Sequence, residues 1–161
     1  MSTAFQDEVT LKLVYHQKLV ANLASRLKTE FTEIKPPAWS AFVKTKSAGL
    51  EPPKSKEWWY IRAASLMRKM ALRGAMGVKD FRLEYGGKRM SKSRPERFRM
   101  ASGGHIRRIL RQLENAKLVQ KSPHGGRSLT KRGRELVLSV AQDELSKSEH
   151  GQAHIRAYTS V

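Results

Sequence analysis

Arg107, Arg108 and Arg111 occupy one arc of a helical wheel, with Gly104 and Asn115, while Ile106, Ile109, Leu110 and Leu113 occupy the opposite arc. Segregation at a period of about 3.6 residues predicts a helix laid on a core, its basic face turned outward. Guanidinium groups in that arrangement recognise rather than break bonds. Each planar fork grips a phosphate through paired hydrogen bonds or stacks on a base, which an ammonium group does not do. Upstream, Lys88, Arg89, Lys92, Arg94, Arg97 and Arg99 face a single acid, Glu96. Downstream, Lys121 and Arg127 flank a Pro-His-Gly-Gly turn and add cations to a predicted wing. A further group begins at Glu57-Trp58-Trp59-Tyr60, running into Arg62, Arg68, Lys69 and Arg73. On the wheel Trp59, Ala63, Leu66, Met67 and Met70 share the buried side, and Arg62, Lys69 and Arg73 form a flanking stripe. Arg68 lies on the far side. Trp58 falls near the polar side, half exposed beside Arg62 and available to stack on a base.

Other chemistries find no residues to carry them. The chain has no cysteine, which removes disulfides, cysteine-zinc modules and thiol nucleophiles. Neither a G-x-G-x-x-G nor a P-loop glycine pattern occurs, so no nucleotide cradle is expected. His150 and His154 stand four apart behind Glu149, but in a polar tail with no further ligands they make no metal site. His105 and His124 lack an obvious carboxylate partner, and no acid/base pair is evident. No cofactor and no small-molecule substrate are expected, and the chain is not read as an enzyme.

The elements that position these cations follow from apolar periodicity and breakers. Residues 9–15 have the β-branched and aromatic content of a short extended arm. Leu19, Leu23 and Leu27 predict a first amphipathic helix over about residues 16–28. Pro36-Pro37 stop the chain and start a short helix over 38–44, and Gly49 with Pro52-Pro53 marks the next loop. The aromatic-led helix covers 57–72. Val78, Phe81 and Tyr85 predict another short helix ending at Gly86-Gly87. Residues 88–99 hold too little apolar surface to pack and are predicted as a surface loop. Ser102 caps the arginine helix, residues 119–121 and 127–129 make a hairpin, and Thr130 caps a final helix through Val140. The fold class is therefore mainly α: a compact helical domain around a winged-helix-like core with a small β-hairpin wing. Residues 1–142 form a single domain, and 143–161 a mobile C-terminal tail.

Thirty-two Lys and Arg against 14 Asp and Glu give a formal net charge of +18 over 161 residues. Cations are spread between Lys35 and Arg134, a pattern suited to folded RNA approaching from several sides. No stretch approaches the roughly 18–20 apolar residues that cross a bilayer, and the N-terminus shows no secretory pattern, so no membrane partner is expected.

In order along the chain, Pro36-Pro37-Ala38-Trp39, Phe42-Val43-Lys44-Thr45, the tryptophan run, Arg73-Gly74 and Gly77-Val78 look like one known family. Tyr85-Gly86-Gly87, Arg94-Pro95 with Phe98, Gln112-Leu113-Glu114 and Gly125-Gly126-Arg127-Ser128-Leu129-Thr130 continue the match. Over roughly residues 10–142 the sequence resembles the ribosomal protein S19e (eS19) family. The resemblance implies a largely helical domain that is a structural constituent of the small ribosomal subunit. It also implies small-subunit ribosomal RNA and neighbouring proteins of the subunit head as partners, and a role in subunit maturation. The implied location is cytoplasmic, on the ribosome, and nucleolar during assembly in a eukaryotic cell. It strengthens the assignment of RNA contact to Arg62, Arg68, Arg107, Arg108 and Arg111. The alternative is a winged-helix, sequence-specific DNA-binding regulator, which predicts cations concentrated on the helix from Gly103 and its wing.

Overall fold

A computed structural model describes residues 3–45, 52–53, 55–89, 95, 97–123 and 125–147. Six helices account for most of them: α1 (Thr3–Leu13), α2 (His16–Glu30), α3 (Trp58–Arg73), α4 (Val78–Glu84), α5 (Gly103–Asn115) and α6 (Lys131–Lys147). A 3-10 turn, Ala38–Ala41, lies between α2 and α3. Two antiparallel hairpins complete the architecture, β1 (Gly87–Arg89) with β2 (Arg97–Arg99), and β3 (Val119–Lys121) with β4 (Arg127–Leu129). The mainly helical class with a small β wing is as the sequence predicts.

Helix α3 sits at the centre, touching α1, α2, α5, α6 and β4. Its apolar arc explains why: Trp59, Ala63, Ala64, Leu66 and Met67 are fully buried, and the alanines let neighbouring helices approach closely. Leu19, Leu23 and Leu27 pack from α2, and Ile109, Leu110 and Leu113 from α5. Helix α6 starts as predicted. The Thr130 hydroxyl accepts from the Gly133 amide at 3.1 Å, a side-chain N-cap. Gly133 is required there because an added methyl group would meet the Leu118 carbonyl oxygen.

Three expectations are corrected. The extended arm predicted over 9–15 is helix α1 to Leu13, because Leu11 and Val14, three apart, are both buried and α1 docks on α6. Side-chain propensity in a seven-residue window yields to that tertiary burial. Packing also continues past residue 142, where the mobile tail was predicted to begin. Helix α6 runs to Lys147, Leu145 is buried, Arg26 donates to Asp143 at 2.6 Å and Asn22 to Glu144 at 2.5 Å. The tail beyond Lys147 lies outside the described residues. Finally, the loop predicted over 88–99 contributes two paired strands, in register Gly87 to Arg99, Lys88 to Phe98 and Arg89 to Arg97. Backbone pairing, which needs no apolar side chain, orders its two ends.

Candidate nucleic-acid interface

The predicted cations divide by what holds them. On α5, Arg107, Arg108 and Arg111 are exposed over a face whose reverse is wholly buried through Ile106, Ile109, Leu110 and Leu113. Lys88, Arg97 and Arg99 are exposed on the first hairpin, and Lys121 on the second. Among the described residues none of these seven forms a salt bridge or a side-chain hydrogen bond, whereas Glu84, Glu114 and Asp143 are each taken by other cations. Arg89 lies in β1, paired with Arg97. Lys92 and Arg94 lie outside the described residues.

Chain connectivity joins these groups. Strand β2 passes through Met100, Ala101 and Ser102 directly into α5. The joint is fixed from α4: the Arg82 carbonyl accepts from the Ala101 amide at 2.9 Å, and Arg82 Nε donates to the Ala101 carbonyl at 2.9 Å. Phe98, on the strand face with Lys88, leaves 57 % of its surface exposed between Arg97 and Arg99. An exposed aromatic beside Lys88, with Arg97 and Arg99 on the opposite face of the same strand, offers the two elements that single strands of nucleic acid recognise, a stacking ring and nearby cations. Sequence reasoning missed Arg82, since α4 drew notice only for its apolar spacing.

A second set of predicted residues is engaged inside the protein. Arg62 lies 4.1 Å above the Tyr85 ring, and its guanidinium donates to the Thr45 carbonyl at 3.1 Å. Burial pulls its pKa down and pushes that of Tyr85 up; the Tyr85 hydroxyl pairs with the Ser65 hydroxyl at 2.7 Å. Lys69 and Arg73 converge on Glu84 at 2.5 and 2.6 Å, and their hydrogen bonds hold its carboxyl below the usual range. Lys69 and Glu84 are mostly covered, while Arg73 is half exposed. Arg68 is half-buried, and its Nε has no hydrogen-bond partner.

Trp58 requires a correction. Only 8 % of it is exposed, because the 3-10 turn folds over it. Its indole N–H donates to the Ser40 carbonyl at 3.2 Å, and its ring meets Trp59 edge-on at 5.2 Å and His105 at 5.7 Å. It is a core residue. His105, held between Trp58 and Trp39, has its pKa lowered by burial and then by the Arg62 charge.

Arg127 is likewise a latch. Its Nε donates to Glu114 at 2.5 Å, and both side chains are about four-fifths covered. Its backbone exchanges two 2.9 Å hydrogen bonds with Met76, in the loop between α3 and α4. Gly126, at φ 77°, passes so close that an added methyl group would lie 2.8 Å from Met76. The second hairpin is thereby stitched to the body along β4.

The model of the family described as ribosomal protein S19e matches residues 10–147. The chain belongs to the ribosomal protein S19e family. The S19e match ends at Lys147, the last residue of α6, so it includes the helical turns beyond residue 142. Similar proteins include small ribosomal subunit protein eS19 of Aeropyrum pernix, 38 % identical over 87 % of this chain and 92 % of the relative. The protein of that name from Mya arenaria is 37 % identical over 83 % of this chain and 89 % of its own. That of Dictyostelium discoideum is 36 % identical over 86 % and 94 %.

Proposed function

We propose that this chain is a structural constituent of the small ribosomal subunit that binds ribosomal RNA through the outer face of α5, both arms of the first hairpin and Lys121. One observation carries this: three arginines on α5 have no acidic partner among the described residues, while the reverse of the helix is locked into the core. Rigid backing matters energetically. Ordering a long free side chain costs up to about 2 kcal/mol, and a fixed helix adds no backbone-ordering cost to it on binding. Each cation that reaches a phosphate releases condensed counterions, so affinity falls steeply with salt. Duplex RNA hides its bases in a deep, narrow groove, so recognition is mainly of backbone and shape. Phe98 provides for an unpaired base where the RNA leaves the duplex.

Family membership supports the ribosomal setting. From the same membership we extend the proposal to subunit maturation, to protein neighbours in the subunit head, and to a cytoplasmic location, nucleolar during assembly in a eukaryotic cell. Arg62, Lys69, Arg73 and Arg127 act in this account by shaping the domain, and Arg68 by lying beside that network. The winged-helix regulator reading is weakened by the stitched hairpin, since β4 is paired with Met76 rather than standing free as a DNA-reading wing.

Replacing Arg107, Arg108 and Arg111 together by Glu tests the proposal. The variant keeps its helical circular dichroism and melting point within a few degrees, yet is not incorporated into small subunits. Normal incorporation of the folded variant refutes the assignment of RNA contact to α5.

A further inference from the structure

Gly103 opens α5 beneath two arginine side chains from different elements. A methyl group on Gly103 would lie 3.2 Å from Arg82 Cδ and 3.5 Å from both Cζ and one terminal nitrogen of Arg107. The two side chains therefore converge over one bare patch of backbone, one from α4 and the other a turn into α5. Neither has a carboxylate partner among the described residues. The acids of α4 and α5 themselves are occupied: Asp80 accepts from the Gly77 amide, Glu84 from Lys69 and Arg73, and Glu114 from Arg127. Arg82 is held from both ends, because its carbonyl accepts from Ala101 and its Nε donates to Ala101. That leaves its two terminal nitrogens without a described partner while their position is set.

Like charges brought together without a counter-charge repel, and an anion bridging them removes the repulsion. Each of the two non-bridging oxygens of a phosphodiester accepts more than one N–H, so one phosphate can serve both forks at once. Glycine is the side chain that leaves this space open. We propose that Arg82 and Arg107 form a two-guanidinium clamp on a single phosphate of the bound RNA. The clamp rests on the RNA-binding function proposed above, and adds Arg82, a residue outside the cations predicted from sequence. Strand β2 ends at the same joint, so a backbone gripped here continues toward Arg99 and Phe98.

The test is a double-substitution cycle with the full chain and an in vitro transcript of small-subunit ribosomal RNA, titrated across a salt series. Arg82→Gln is the informative change, because the amide nitrogen of Gln occupies the place of arginine Nε and retains the bond to Ala101 while the charged fork is lost. Arg107→Gln removes the other arm. Each single substitution weakens binding about tenfold. The pair together is weaker than either single by only about threefold more, because both arms serve one contact. The slope of log affinity against log salt becomes shallower by about one for the double substitution. Losses that multiply, with a slope change of about two, show two separate phosphates and overturn the clamp. Arg82→Gln binding like the unsubstituted chain at an unchanged melting point also overturns it. Failure of the unsubstituted chain to bind the transcript is different: it refutes the RNA-binding function itself, and the clamp with it.

Discussion

Trp59 is the core side chain that ties α3 to α5 by a hydrogen bond. It is fully buried, its ring meets Trp58 at 5.2 Å and Trp39 at 5.6 Å, both edge-on, and its N–H donates to Gln112 at 2.8 Å. Gln112 in turn donates to the Lys35 carbonyl at 2.7 Å, so one indole ties α3 to α5 and to the segment before the 3-10 turn. Trp59→Ala removes the ring and leaves a cavity, a change that costs about 3–5 kcal/mol. At about 2–4 °C per kcal/mol for a chain of this size, the melting point falls by roughly 6–20 °C. Trp59→Phe retains most of the apolar volume but strands the Gln112 oxygen, at a cost of about 1–3 kcal/mol. The assay is urea unfolding of the purified chain at neutral pH, followed by circular dichroism with a common slope. An alanine variant within about 1 kcal/mol of the parent refutes the keystone role of Trp59. A phenylalanine variant as unstable as the alanine variant shows instead that the hydrogen bond, not the burial, dominates.

Other perturbations separate shaping residues from contacting ones. Arg127→Ala lowers stability by about 1–3 kcal/mol by stranding Glu114, and leaves the salt slope of RNA binding unchanged. Arg111→Ala does the reverse, with little effect on stability and a slope shallower by about one. Titration measurements and binding isotherms on both variants decide this, and exchanged phenotypes contradict the latch. Because the Glu84 carboxyl is depressed below 4.5, its stabilisation is fully present above that value and drains away as pH falls through the folded pKa. Glu84→Gln is therefore less stable than the parent at neutral pH, and the gap closes in acid; a gap independent of pH contradicts the pairing. His105 also has a lowered pKa, so the unfolded chain binds its proton first and stability declines as pH falls below 6.5. In His105→Gln that part of the acid sensitivity is absent from the unfolding curves.

Where a pattern was local, the sequence predicted the structure. Helix α5 and the second hairpin are legible because segregated arcs, a glycine turn and flanking short strands lie within a few residues of one another. Trp58 was misplaced because a wheel drawn on α3 alone cannot include the 3-10 turn that covers it. Arg127 looked like a wing cation because its partners, Glu114 and Met76, lie 13 and 51 residues away and are joined to it only by tertiary folding. Arg62 and Lys69 stand on the flank the wheel assigned them, yet Tyr85 and Glu84 of the following helix and its end reach that flank first. Leu145 was passed over in a polar stretch, though Asp143 and Glu144 beside it dock on α2 through Arg26 and Asn22. Arg82 carried no sequence signal at all, since its bond to Ala101 and its approach to Gly103 arise only on folding.

We propose above all that this chain is an integral component of the small ribosomal subunit. A lysate of the source cell separated on a sucrose gradient, at low and at moderately high salt, tests it most directly. The chain stays in the small-subunit and whole-ribosome peaks at both salts. Release to the top of the gradient even at low salt would contradict it.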